Sequence, residues 1–271
     1  MARESFVLTN GKVVIKPRTK IWLYTAIVLV LFFACFLVIP IDFRTIRLAQ
    51  VSVILEKLFT PAPGKTWGDY FAYMLKLDQP IMETIRMSFA GTTIGAALCL
   101  PFAFLCSRNI VKSKWIYQPT RVFMNFLRTL PTLVVVVVVA FFFGFNVFTA
   151  IIAISIFTWS IMTKMLYETI ETVDMGPFEA LEACGGNKTK AFSYAVFPQV
   201  MPIYLSYFIY TFEINVRSSV VLGYVGAGGI GVVINENIGI YYDRVGAIII
   251  VLFVLVIAIQ LFSSWVRSKL Q

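Results

Sequence analysis

Two oppositely charged residues, Glu213 and Arg217, interrupt an apolar part of the chain. Their spacing of four residues places both on one face of a helix, where they can form an ion pair. This pair would either fix the packing of the helix or belong to a face that lines a path for an anion. A guanidinium group matches the geometry of phosphate-like oxyanions, so it would suit the second role, and both roles stay open. Polar residues that would add hydrogen-bonding groups to such a face are Asn215, Ser218 and Ser219.

A further cation, Arg128, stands directly before the uncharged window of residues 129–163. It has two interpretations. In one, its guanidinium belongs to the same anion path. In the other, its long side chain reaches out of an apolar layer towards water, as arginines at the ends of membrane helices do.

The glycine-rich segment after Arg217 contains a G-x-G-x-x-G pattern, with a further glycine inside it. This pattern indicates a dinucleotide site only where it follows a strand and opens a helix. Here it follows an apolar stretch of membrane-helix type, so we reject a nucleotide site. Close helix packing or a flexible external gate explains the glycines better. The residues concerned are Gly226, Gly228, Gly229 and Gly231.

The chain carries no recognisable catalytic apparatus. It has no histidine, no P-loop motif, and four cysteines without the C-x-x-C spacing of metal sites. We therefore expect no enzymatic activity, no cofactor and no metal site. Any ATP hydrolysis linked to this protein would have to occur in another chain.

A polar island at residues 179–202 separates two long apolar stretches. Pro177 suits the first position of a helix that would run to Cys184, because its missing N–H is not needed there. Gly185 and Gly186 would stop that helix, and Asn187 would cap a second short helix ending at about Phe197. We call residues 177–198 the elbow. An ordinary loop that merely joins two spans is the simpler alternative.

The composition is that of a membrane protein, with 59% hydrophobic and 14% charged residues. A membrane-spanning helix needs about 20 predominantly apolar residues. The longest uncharged window, residues 129–163, holds parts of two spans, with a turn at Gly144, Phe145 and Asn146. The sequence thus predicts an all-α integral membrane protein. Its six transmembrane helices would lie at about residues 21–41, 82–107, 119–143, 146–167, 196–217 and 245–266.

The distribution of basic residues sets the predicted orientation. Cytoplasmic loops carry an excess of lysine and arginine. Basic residues precede the first span, and Arg267 and Lys269 follow the last, so both termini are expected in the cytoplasm. An even number of spans satisfies both ends, and residues 218–235 would then be partly inserted or outward-facing. The net charge of +9 lies mostly at span ends, which argues against nucleic-acid binding.

Two regions follow from this layout. Residues 1–80 would hold the cytoplasmic tail, the first span and an external segment. Residues 81–265 would form a membrane domain with the other five spans.

The elbow resembles the EAA loop of the permease subunits of type I ABC importers. Glu179, Ala180 and Gly185 match the signature positions of that motif, and Pro198 keeps its spacing, whereas Leu181 replaces the second alanine. Other segments resemble the phosphonate permeases. They are residues 83–86 (ETIR), 100–109 (LPFAFLCSRN), 128–131 (RTLP), 197–202 (FPQVMP) and 213–231 (EINVRSSVVLGYVGAGGIG).

This resemblance implies a type I ABC importer permease fold in the cytoplasmic (inner) membrane of a bacterium. It implies that two ATPase subunits dock on the elbows of a permease homodimer, through Glu179, Ala180, Gly185, Gly186 and Pro198. A substrate-binding protein would dock outside, and the substrate would be a phosphonate, phosphite or similar oxyanion. The same machine carrying methionine or another small solute remains an alternative. A channel or scaffold without an ATPase is another.

Overall fold

The computed structural model describes residues 5–7, 13–15, 19–38 and 48–270. It has two compact units, one ending at Val53 and one beginning at Ile54. The sequence placed a boundary at residue 80 instead. The observed boundary is earlier because the helix Trp67–Leu75 packs against the helix Tyr242–Leu270. Residues 54–80 therefore belong with the core and not with the N-terminal unit.

The N-terminal unit contains a short antiparallel strand pair, β1 (Ser5–Val7) and β2 (Val13–Ile15), and the helix α1 (Thr19–Val38). Helix α1 covers the predicted first span, residues 21–41, as far as residue 38. The last three residues of that prediction lie outside the described residues.

The remaining described residues are almost entirely helical, as the composition predicts. The helices are α2 (Leu48–Phe59), α3 (Trp67–Leu75), α4 (Asp78–Cys106), α5 (Lys114–Thr129), α6 (Thr132–Phe143), α7 (Val147–Thr172), α8 (Gly176–Ala183), α9 (Lys188–Ala191), α10 (Phe197–Tyr224), α11 (Ile230–Asn237) and α12 (Tyr242–Leu270). A π-helical segment, Phe192–Val196, joins α9 to α10.

Local chemistry explains several helix ends. Thr66 and Asp69 form a reciprocal capping box at the start of α3. Gly144 ends α6 with a φ of +74°, a conformation that glycine adopts without steric cost. The side chain of Asn146 then accepts a hydrogen bond of 3.0 Å from the backbone of Thr149 and caps α7. The turn predicted at residues 144–146 is therefore confirmed.

Helices α4 and α7 form the most extensive contact between two helices of the described residues. Gly91 and Gly95 of α4 lie against Ile154 and Thr158 of α7. A Cβ atom on Gly95 would stand 2.6 Å from the carbonyl oxygen of Ser155, so only glycine permits this approach. The G-x-x-x-G spacing of small residues is typical of membrane helix pairs, which associate through close backbone packing. Helix α10 packs against both α4 and α7.

Within the described residues, three helical segments are long and apolar enough to cross a membrane. They are Trp67–Cys106, Val147–Thr172 and Tyr242–Leu270. The predicted span at residues 119–143 differs, because α5 and α6 meet there at 92° and form at most a broken span. Leu130 and Pro131 separate the two helices, and Pro131 cannot donate a backbone hydrogen bond that would continue α5.

Candidate functional site: the elbow and the charged face of α10

Helix α8 forms the first arm of the elbow and ends as the sequence predicts. Gly185 has a φ of +83°, and the backbone N–H of Gly186 donates a 3.0 Å hydrogen bond to the carbonyl of Leu181. This arrangement is the usual glycine termination of a helix. A Cβ on Gly186 would lie 2.7 Å from that same carbonyl oxygen, so this position also requires glycine.

The second arm of the elbow does not end at Phe197, and this prediction was wrong. Helix α9 continues through the π-helical segment directly into α10. Pro198 lies in the first turn of α10 and has no N–H to donate to the preceding turn. A π turn just before Pro198 accommodates the resulting change in the backbone hydrogen bonds of the helix. The elbow is therefore joined to α10 by continuous helix.

The surface of α8 is open. Glu179, Ala180, Leu181 and Cys184 are exposed, and no residue of α8 is buried. Between α8 and the loop after α4 lies a cleft of about 520 Å³. Its apolar wall comes from Phe104, Met175, Phe178 and Phe192, and its polar lining includes Lys112, Glu179 and Glu182.

A charged cluster ties the loop after α4 to the end of α7, beside the elbow. Arg121 pairs with Glu171, and its guanidinium stacks 4.5 Å from the ring of Tyr167. The same carboxylate accepts a 2.8 Å hydrogen bond from the backbone N–H of Arg108. The amide of Asn109 donates to the carbonyl of Ile170 at 3.1 Å. The sequence alone predicted none of these contacts.

Glu213 of α10 is buried, with a side chain 8% exposed, and it pairs with Arg217 as predicted. The structure adds two partners from α12. Arg267 approaches the carboxylate at 3.3 Å, and the hydroxyl of Ser263 donates to it at 2.9 Å. One carboxylate thus faces two guanidinium groups, which leaves one positive charge in excess. Arg217 carries the more accessible cation, because its side chain is 47% exposed.

Arg267 lies in the last turn of α12, which continues to Leu270. The partnership of Arg267 with Glu213 was missed at the sequence level. The i, i+4 spacing of Ser263 and Arg267 was the available signal, since both then lie on one face of α12.

The other polar residues of α10 do not share the exposure of Arg217. Asn215 is fully buried, and its amide donates 2.8 Å hydrogen bonds to the hydroxyls of Thr92 on α4 and Thr158 on α7. Ser219 is also buried and donates to the carbonyl of Val216. Ser218 is half-buried. Asn215 therefore holds three helices together, which is a packing role.

Arg128 lies in the last turn of α5, immediately before the bend to α6. Its side chain is exposed and forms no ion pair with any of the described residues. The structure does not bring Arg128 into contact with the Glu213 cluster. It remains an isolated cation at the bend.

The glycine-rich segment forms a tight hairpin between α10 and α11. Gly226, Gly228 and Gly229 have positive φ angles of 97°, 93° and 70°. Gly231 lies directly against the backbone of α10 at Val220, where any side chain would collide. Gly231 thus packs closely against α10, which is compatible with the first of the two interpretations of these glycines. Among the described residues, no group of side chains is arranged to hold a metal ion.

Comparison with known proteins agrees with these features. The sequence profile of the family described as "Binding-protein-dependent transport system inner membrane component" matches residues 99–270. The chain is 36% identical over 189 residues to the phosphate-import permease protein PhnE of Mycolicibacterium smegmatis. That match covers 69% of this chain but only 36% of the relative, so the chain spans about a third of that protein.

A second relative matches over a larger share of its length. The phosphite transport system permease protein PtxC of Stutzerimonas stutzeri is 34% identical over 191 residues, which is 70% of each chain. Among solved structures, the MetNI methionine ABC transporter in an inward-facing conformation is similar in fold. Its TM-score is 0.65 at 21% identity, over 72% of this chain and 96% of that chain.

Proposed function

The chain belongs to the family of binding-protein-dependent transport system inner membrane components, and from this premise we propose that it imports an oxyanion of phosphorus. Its relatives include permeases named for phosphate and phosphite, at 36% and 34% identity. This similarity is the observation that carries the substrate class. The excess positive charge around Glu213 supports it, because a dianion crossing a narrow path needs fixed cationic partners.

The proposed membrane topology has six spans with both termini in the cytoplasm of a bacterium. The six are α1, α4, the bent pair α5 and α6, α7, α10 and α12. Helix α10 carries charges, but its carboxylate is neutralised by two arginines, which lowers the cost of placing it in a membrane. The hairpin of α10 and α11 then lies towards the outside, at the other end of α10 from the elbow.

The elbow is proposed as the docking point for a separate ATPase. An exposed helix α8 offers Glu179 and Ala180 to a partner. The glycine stop at Gly185 and Gly186 fixes the direction of the following arm. Pro198 stands where that arm enters α10, so a displacement of α8 acts on the transport helix itself. Two permease copies, two ATPase subunits and a binding protein outside complete the machine.

The path for the anion is proposed to run along the exposed side of Arg217, near the half-buried Ser218. Its neighbours Glu213, Asn215 and Ser219 would hold α10 in position and would not contact the ion. Arg128, at the bend of α5 and α6, would attract the anion electrostatically without contacting it.

Methionine transport is the second candidate, favoured by the fold similarity to MetNI. At 21% identity that similarity concerns the fold, whereas the relatives at 34–36% identity are named for oxyanions. A channel without an ATPase is less well supported, because it would have no use for an exposed α8 joined to α10.

The decisive experiment is the ATPase rate of the complete complex reconstituted with its ATPase and binding protein. The rate is measured with 2-aminoethylphosphonate, phosphite, phosphate or methionine. Stimulation by a phosphorus oxyanion and not by methionine is expected. Stimulation by methionine alone would support the ATP-driven importer but refute an oxyanion of phosphorus as its substrate. Failure of the three components to assemble would refute the coupling role of the elbow.

A further inference from the structure

A second polar cleft lies at the opposite end of the helix bundle from the elbow. Helix α4 begins beside this cleft and ends beside α8, which places the two at opposite ends. The cleft has a volume of about 370 Å³ and lies between α3 and the first turn of α12. Pockets for small molecules have volumes of roughly 300–1,000 Å³, so this cleft is large enough for a small ligand.

The acidic residues of this cleft already have partners. Asp243 is 7% exposed and forms a 2.6 Å ion pair with Lys65. Asp69 accepts 2.9 Å hydrogen bonds from the backbone and hydroxyl of Thr66 in the capping box of α3. Lys65 neutralises Asp243, whereas Asp69 keeps its charge and partly offsets the other two cations of the lining, so one positive charge is in excess.

Two cations of the lining, Arg244 and Lys76, have no such partner. Neither forms an ion pair with a residue in the described part of the chain. The guanidinium of Arg244 lies 4.4 Å from the ring centre of Tyr241 and 5.4 Å from that of Tyr73. Stacking on two aromatic rings restrains the guanidinium plane and leaves its N–H groups free to donate. Lys76 is exposed at the edge of the same cleft.

We propose that this cleft is a binding site for a tetrahedral oxyanion of phosphorus. Two N–H groups of the Arg244 guanidinium would donate hydrogen bonds to two oxygens of the anion, and the ammonium group of Lys76 would contact a third. Pre-orientation of Arg244 by the tyrosines reduces the entropy lost on binding. Such a group has two sources, a free ion or the headgroup of a phospholipid. Identifying the free ion with the transported substrate rests on the proposed function.

The test uses the permease chain of 271 residues in dodecyl maltoside micelles, which contain no phosphorus. Binding of inorganic phosphate is followed by the broadening of its phosphorus NMR line. The double variant Arg244→Gln, Lys76→Gln is compared with Lys57→Gln, which removes a cation near Tyr242 but outside the lining. The wild type and Lys57→Gln are expected to bind alike, and the double variant at least tenfold more weakly.

Phosphatidylglycerol then distinguishes the sources. Sharpening of the phosphate line on its addition would assign the cleft to a lipid headgroup, and an unchanged line would assign it to the free ion. Absence of broadening with the wild type, before and after lipid, would overturn the proposal. So would a double variant that binds phosphate as well as the wild type does. The assay contains no ATPase, so its failure leaves the importer function untouched.

Discussion

At the scale of single residues, the Glu213 cluster shows how a charged group can be kept inside an apolar bundle. Two arginines and a serine surround one carboxylate, so that no anion is left without a partner. Removing one member of a buried pair costs more than the pair contributes, because the other member stays buried. Arg217 is more exposed than Arg267, and the proposed transport role of Arg217 rests on this difference.

The proposed role of Arg217 in the anion path predicts a selective loss of transport on substitution. Arg217→Ala is expected to lower the oxyanion-stimulated ATPase rate of the complete complex by about tenfold, or about 1.4 kcal/mol. The complex should still assemble, because Arg267 continues to neutralise Glu213. Arg217→Lys keeps the charge and should recover part of the rate. Normal stimulation of the Arg217→Ala complex would leave this residue with a packing role alone.

At the scale of elements, the elbow depends on two glycines that no other residue can replace at low cost. Gly185 needs a positive φ, and Gly186 lies against a backbone carbonyl. Both conditions are local, and so the end of α8 could be predicted from the sequence. The continuation into α10 could not, because Pro198 is compatible both with the start of a new helix and with a continuous helix that contains a π turn before it.

Gly185→Asp is expected to abolish transport and weaken ATPase binding by about 2 kcal/mol, the loss typical of a contact that dominates an interface. Membrane insertion should be unchanged, because Gly185 is exposed. Co-purification of the ATPase with the permease measures the effect. Gly64→Asp is the matched control, since Gly64 also has a positive φ (+86°) and open space around it but lies before α3. Equal losses in both variants would contradict a specific role of the elbow.

The contact of α4 with α7 makes a prediction about stability. Gly95→Ala would place a methyl group against the backbone of α7 and is expected to destabilise the protein by about 1–3 kcal/mol, as overpacking does. Thermal unfolding in detergent measures this change. Gly68→Ala in α3 is the control, because a Cβ there would stand 3.4 Å from its nearest neighbour. A melting temperature of Gly95→Ala equal to that of the control would refute the close packing of α4 and α7.

At the scale of the whole molecule, local patterns could be predicted and distant partnerships could not. The pair of Glu213 with Arg217 follows from a spacing of four residues. The contact of Glu213 with Arg267 joins residues 54 positions apart in the sequence. Helical periodicity does not indicate which other helix packs against α10. For the same reason the sequence did not predict that the side chain of Asn215 is buried against α4 and α7. The polar residues of α10 do not indicate which face of the helix contacts its neighbours. The bend between α5 and α6 was missed because the apolar character continues beyond Pro131.

The proposed topology predicts which side of the membrane each loop faces. Cys184 is exposed at the end of α8 and should react with an impermeant maleimide only in inverted membrane vesicles. A Gly64→Cys variant should react only in intact spheroplasts. Cys35→Ser is included in both cases to remove the other exposed native thiol, because Cys99 and Cys106 are buried. The opposite labelling pattern would indicate the inverse orientation in the membrane. Labelling of both sites from one side would refute a topology in which they lie on opposite faces.

The union of elbow and α10 also has a mechanical consequence. Helix α10 has 28 residues and is about 42 Å long at 1.5 Å per residue. Asn215, bonded to both α4 and α7, is a natural fulcrum, about 27 Å from the elbow end and about 14 Å from the hairpin end. If the helix tilts as a rigid beam, each ångström of travel at the elbow becomes about half an ångström at the hairpin. A displacement at the elbow thus becomes a displacement about half as large at the hairpin, where the force is about twice as large.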